Sequence, residues 1–175
     1  VGDGGVSFGG TEFSGDGNVW FVDAKFVGDG DVWFDYAEFG GDGDVAFSNA
    51  EFDSDGSVSF ASVKFHNTLR LGPLSDDIVG HGPPSDDAVP YIQHSVDFSN
   101  AIFHLAPKFR GETGSTTQIQ KSDSKSPQFD LVFVGDVNFT GTVFKNGVDF
   151  STTRFPPNAD FTDATLKSAD FSGAD

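Results

Sequence analysis

The chain contains no cysteine and no methionine, only two tryptophans and two tyrosines, and 10 basic residues against 27 acidic ones. Without cysteine there is no disulfide, no thiolate metal site and no cysteine nucleophile, and the redox compartment stays open. Without methionine the chain does not begin at its own start codon, so it reads as a piece excised from something longer. No apolar run reaches the ~18 residues needed to span a bilayer, and no signal peptide is recognised. The shortage of cations leaves a net charge of -17, with Asp supplying 23 of the 27 acids. Such a chain is soluble and repelled by free nucleic acid, so direct nucleic-acid binding is not expected. The acidity would imitate DNA, collect cations, or keep the protein hydrated in salt. The last reading is favoured and places the protein in the cytoplasm of a high-salt cell rather than outside it.

What is present is phenylalanine, 21 residues of it, in a chain of 175 that fits one ordinary domain. In FDYAEFGGDGDVAFSNAEFDSDGSVSF (34 to 60) the rings sit at Phe34, Phe39, Phe47, Phe52 and Phe60, with gaps of five, eight, five and eight. Neither a helix nor a simple strand produces those steps. Laid out by period, the chain reads VSFGGTEFSGDGN, VWFVDAKFVGDGD, VWFDYAEFGGDGD and VAFSNAEFDSDGS, each two five-residue units and a three-residue spacer. The pair returns with shorter spacers in VDFSNAIFHLA (96 to 106), VNFTGTVFKNG (137 to 147), VDFSTTRFPPN (148 to 158) and ADFTDATLKSADFSGAD.

Two places before each Phe stands a small or β-branched residue, among them Val6, Thr11, Val19, Ala24, Val32 and Ala37. These two positions face one side, and the often polar residue between them faces the other, as in a short extended segment with one wet face. Gly, Ser, Asn or Asp follow and turn a corner. The chain therefore winds around a core expected to hold Phe8, Phe13, Phe21, Phe26, Phe34, Phe39, Phe47, Phe52, Phe60, Phe65, Phe98, Phe103, Phe139, Phe144, Phe150, Phe155, Phe161, Leu166 and Phe171. Trp20 and Trp33 take outward places.

Ala-Asp-Phe-Ser-Gly (169 to 173), Ala-Asp-Phe-Thr-Asp (159 to 163) and Val-Asp-Phe-Ser-Asn (96 to 100) resemble the A(D/N)(L/F)xx units of pentapeptide-repeat proteins. The resemblance implies an all-β fold, a right-handed quadrilateral β-helix with four units to a coil. The three-residue spacers, the frequent Val and the near-exclusive Phe depart from the family pattern. On this frame the solenoid repeats occupy 1–67, 96–111 and 129–175, separated by insertions at 68–95 and 112–128. The spacers emerge at two opposite corners. One column stacks Asp16-Gly17-Asn18 under Asp42-Gly43-Asp44, and the other stacks residues 3–5, 29–31 and 55–57. Lys25 falls beside Glu51 on one side, and Glu12, Glu38 and Lys64 line another.

Repeated oxygen ligands at close spacing suit Ca²⁺, which makes Asp16, Asp29, Asp31, Asp42, Asp44 and Asp55 weak candidates for a calcium site and calcium the one cofactor to consider. The competing reading, favourable Asp-Gly turn chemistry, is preferred. The first insertion, with GPLSDDIVGH followed by GPPSDDAVPY, reads as loop, and the second, ETGSTTQIQKSDSKSPQ, as a polar excursion carrying Lys121 and Lys125 near Lys108 and Arg110. His66, His81, His94 and His104 lie in or beside the first insertion with Asp76, Asp77, Asp86 and Asp87, but lack zinc-motif spacing. No nucleophile elbow, phosphate loop or dinucleotide fingerprint is present, and Asn138-Phe139-Thr140 is a lone glycosylation match.

The leading function is a non-catalytic scaffold or interaction module with a protein partner. The resemblance also implies a second reading, since some members of the family imitate duplex DNA and bind type II topoisomerases. The third reading is a cation-stabilised structural rod.

Overall fold

The computed structural model describes residues 4–22, 24–28, 30–47, 50–54, 56–71, 91–92, 95–105, 107, 109 and 131–175. Among them there is no helix, and the strands, mostly two residues long, pair in parallel. Val6 pairs with Val32 and Val32 with Val58, a step of 26 residues per coil. Four faces recur in chain order. The first carries Val6–Ser7, Val32–Trp33, Val58–Ser59, Val96–Asp97 and Val137–Asn138, extended by the bridge from Asn138 to Asp160. The second runs through all six coils: Glu12–Phe13, Glu38–Phe39, Lys64–Phe65, Ile102–Phe103, Val143–Phe144 and Thr165–Leu166.

The third face holds Val19–Trp20, Val45–Ala46 and Leu69–Arg70, then Val148–Asp149 and Ala169–Asp170. Between these groups Phe109 N donates to Asp149 O at 3.1 Å and Asp149 N to Pro107 O at 3.3 Å, so Pro107 and Phe109 hold this face in the fourth coil. The fourth face pairs Lys25–Gly28 with Glu51–Ser54, and later Tyr91–Ile92 with Leu131–Phe133 and Thr153–Arg154. Successive strands pair only through the chain one coil away, as in other solenoids.

The rings stack in columns because each Phe lies in register with the next. On the first face Phe8, Phe34, Phe60, Phe98, Phe139 and Phe161 follow one another at 4.8 to 5.1 Å between centroids, within 16° of parallel. On the second, Phe13, Phe39, Phe65, Phe103 and Phe144 do so at 4.6 to 5.0 Å. Neighbouring columns meet edge-on, as Phe34 meets Phe47 at 5.3 Å and 86°, an arrangement aromatic quadrupoles favour. Buried Thr142 and Thr153 donate their hydroxyls to the carbonyls of Phe98 and Phe109 in the preceding coil, which satisfies them.

The two corner types explain the two gaps. From first to second face, and from third to fourth, the Phe carbonyl accepts the N–H three residues on, as Phe34 O does from Ala37 at 2.9 Å. The third residue of that turn has positive φ, as at Gly10, Tyr36, Ser62, Asn100, Gly141 and Asp163 on the first corner, the geometry of a type II turn. The other two corners hold the spacers. There Gly43 approaches so closely that an added Cβ would lie 2.4 Å from the Gly17 backbone.

The insertion expected over 68–95 is shorter than its assigned bounds. Leu69–Arg70 still pairs with Val45–Ala46, and Tyr91–Ile92 already belongs to the fourth face. Leu69 and Leu71 are buried, Leu71 following Arg70 as Phe47 follows Ala46. The chain between 71 and 91 and that between 109 and 131 leave from the same corner, third to fourth face, in adjacent coils.

Candidate functional site: corner carboxylates and the outward edge

Of the expected core, Phe34, Phe39, Phe47, Phe60, Phe65, Phe98, Phe103, Phe139, Phe144 and Phe150 are buried. Phe8, Phe13, Phe21, Phe26, Phe155 and Phe161 are partly buried against them. Phe52 pairs in register with Phe26. Leu166 and Phe171 depart from the expectation: they are 37% and 43% exposed. Phe109, Phe133, Leu69 and Leu71 are buried core residues that the repeat pattern missed. The signal for Phe109 was Pro107-Lys108-Phe109, with buried Pro107 in the small inward place. Trp20 and Trp33 are 49% and 39% exposed on the third and first faces.

The acids have local work. The residue before the inward Phe accepts the backbone N–H two residues on: Asp97 from Ser99, Asn138 from Thr140, Asp149 from Ser151, Asp160 from Thr162 and Asp170 from Ser172, at 2.8 to 3.0 Å. This Asx turn starts the corner. The hydroxyl and N–H of Thr162 together hold the Asp160 carboxyl below its usual range.

In the spacer columns, Asn18 accepts from Asp44 N at 2.9 Å and Asp31 from Ser57 N at 2.7 Å, one coil apart. Asp44 also takes both Nε and Nη2 of Arg70, at 3.0 and 2.8 Å. Of the calcium candidates, Asp16 and Asp42 are exposed, whereas Asp29 and Asp55 lie outside the described residues. Among the described residues no three His, Asp or Glu side chains come together to hold a metal. His81, His94, Asp76, Asp77, Asp86, Asp87, Lys108, Arg110, Lys121 and Lys125 also lie outside them.

The edge between the second and third faces has a different character. His66 and His104, equivalent residues of the third and fourth coils, stack at 4.4 Å. His66 Nε2 donates to Glu38 at 2.9 Å, and Lys64 Nζ reaches the other oxygen of that carboxylate at 3.0 Å. These bonds, Lys64 first, hold the Glu38 carboxyl below its usual range. His104 Nε2 must accept from Lys145 Nζ at 3.2 Å, since an ammonium only donates. Burial first, then Lys145 and His66, push the His104 imidazole below its usual range.

Register extends this column one more coil, since Phe144 pairs with Leu166 and so sets Lys145 beside Lys167. Among the described residues this edge carries Glu12, Asp16, Glu38, Asp42 and Asp44 in coils one and two and Lys64, His66, His104, Lys145 and Lys167 in coils three to six, with Asp149 and Asp170 beside it on the third face of coils five and six. Lys25 and Glu51 pair in register on the fourth face, and Glu38 stands between Glu12 and Lys64 on the second.

Residues 132–175 match the family model for pentapeptide repeats (9 copies). That segment is a run of pentapeptide repeats. The four-faced winding of the matched segment continues through the coils that precede it, where the spacers obscure the five-residue period. No curated protein and no solved structure matches the chain. Among its described residues no helix is long and apolar enough to cross a membrane.

Proposed function

We propose that this protein is a non-catalytic pentapeptide-repeat scaffold that engages a protein partner through the outside of its rod, in a salt-rich cytoplasm. The observation that carries the reading is how the repeat uses its residues. Inward places hold stacked Phe and small side chains, and corner carboxylates bond the corners themselves. The outward residue of each strand is left to vary from coil to coil, and such extended surfaces are what solenoids offer for binding.

Imitation of DNA toward a type II topoisomerase draws support from residues 1–57, where 13 acids stand against Lys25 alone, a net of -12 out of -17. The cation-stabilised rod draws support from the exposed Asp16 and Asp42. One pair of measurements separates the three. The scaffold reading expects no inhibition of a type II topoisomerase, and thermal unfolding in molar KCl unmoved by micromolar Ca²⁺. Saturable calcium stabilisation, following mass action, would replace it with the cation rod. Inhibition that weakens when Glu12, Asp16, Glu38 and Asp42 are neutralised would replace it with the mimic.

A further inference from the structure

We propose that Trp33 and Tyr36, on the first face and first corner of coil two, form the docking point for an arginine-bearing segment of a protein partner. This rests on the scaffold reading and names the chemistry of what the scaffold holds.

Coil two breaks the repeat at two exposed places. Where it carries Trp33 on the first face, the other coils carry Ser7, Ser59, Asp97, Asn138 and Asp160, and where it carries Tyr36 at the corner they carry Gly10, Ser62, Asn100, Gly141 and Asp163. Every equivalent residue is small or polar. Tyr36 is held at φ 59°, a backbone region unfavourable for a bulky side chain, yet its ring is 75% exposed, and Trp33 beside it is 39% exposed. Neither ring serves the core. A strained residue whose side chain meets solvent indicates a use outside the fold. Along the rod the neighbours of both rings are small: Ser7 and Ser59 flank Trp33 in register, the indole reaches over Gly5, and Gly10 and Ser62 take the corner on either side of Tyr36.

What docks there follows from charge. Among the described residues the first face and its two corners, over 4–11, 30–37, 56–63, 95–101, 135–142 and 157–164, hold Asp31, Asp35, Asp97, Asp136, Asp160 and Asp163 and no Lys, Arg or His. On the adjoining faces Lys64 is bound to Glu38, Lys25 lies in register with Glu51, and Arg154 stands 4.0 Å from Asp175. His66, His104, Lys145 and Lys167 lie at the far edge of the second face. Asp35, next to Tyr36, takes the Ser59 hydroxyl and the Ala61 N–H on Oδ1, so its other oxygen bonds nothing among the described residues.

A second copy of this chain, a nucleic acid or an anionic lipid surface would bring like charge to this face, and an apolar partner would strip water from carboxylates it could not pair. Arginine meets both features at once. Its guanidinium stacks on an indole or phenol ring and donates paired hydrogen bonds to a carboxylate, which a lysine ammonium does less well. Trp and Tyr are also where interface energy concentrates.

Isothermal titration calorimetry of the full chain with a capped hexa-arginine peptide tests it, at ~0.15 M salt, where the Debye length is ~8 Å. Micromolar binding is expected, weakened about tenfold when Trp33→Ala and Tyr36→Asn are combined, and less than about twofold by Trp20→Ala on the third face. A capped hexa-lysine peptide of the same charge should bind roughly fivefold more weakly. In a Trp20→Phe background Trp33 is the one indole, and its fluorescence should shift as the arginine peptide saturates. Circular dichroism of each variant checks the fold. No binding of the arginine peptide overturns the proposal, and so does equal affinity for the wild type and the Trp33/Tyr36 double variant, which would reduce binding to net charge. Equal affinity for the lysine peptide, or binding of neutral cellohexaose that the double variant loses, overturns it as well. None of these results touches the scaffold reading, which the topoisomerase and calcium measurements decide.

Discussion

Burial separates the side chains of this rod more sharply than residue type does. Phe60 is 2% exposed and stacked between Phe34 and Phe98, whereas Trp20, a larger ring, is 49% exposed. Phe60→Ala is therefore expected to cost about 3 to 5 kcal/mol, a transfer and cavity loss, and Trp20→Ala less than about 0.5 kcal/mol. Urea unfolding of the two variants measures the contrast. Tyr36 presents the opposite case, a bulky residue held at φ 59° and 75% exposed. Gly, Ser, Asn or Asp fills the same corner in the other five coils, and Asn tolerates the left-handed region better than tyrosine does. Tyr36→Asn should raise stability by roughly 0.5 to 1 kcal/mol, seen as a higher urea midpoint with unchanged slope. A lower midpoint would mean that the tyrosine ring makes a stabilising contact.

At the scale of coils and corners, the same letters do different work according to the coil beneath. An added Cβ at Gly17 meets nothing within 4 Å, while at Gly43 it strikes Gly17 carbonyl atoms at 2.4 Å. Neither position has the left-handed φ that would make alanine strained in itself. Gly17→Ala should be nearly neutral and Gly43→Ala should cost about 1 to 3 kcal/mol as overpacking, compared by thermal melts.

His104 makes the fold respond to pH. His104 in the folded chain sits below its ordinary value, through burial, Lys145 and His66, with Lys64 adding repulsion and Glu38 opposing it. Protonation thus favours the unfolded chain. The stability tied to its neutral form is complete above about pH 6.5 and is lost as pH falls below that. Stability should decline as pH falls from about 6.5 to 5.5, where Glu38 stays ionised, and His104→Gln should flatten that decline.

Steps of five and eight were legible in the sequence because the inward places of the first two coils repeat Val, Ala or, at Thr11 alone, Thr two residues before Phe. The third face of coils three and four was not. Leu69 with Leu71, and Pro107 with Phe109, adjoin Gly- and Pro-rich chain and become recognisable only when register sets them on Phe47 and Phe150. The stack of His66 on His104 was hidden for the same reason. Residues such as His66 and His104 become neighbours through coils of unequal length.

Across the whole molecule, backbone hydrogen bonds such as Val32 N to Ser57 O and Phe34 N to Ser59 O run from coil to coil. They therefore lie along the rod, and so do the ring columns. The first and second faces continue without interruption. A force that draws the two ends apart loads each inter-coil seam in series, so the weakest seam yields first and the others hold. Coils of this kind peel away singly rather than shear together, and the rod would lengthen under tension in steps, one coil of chain released at each.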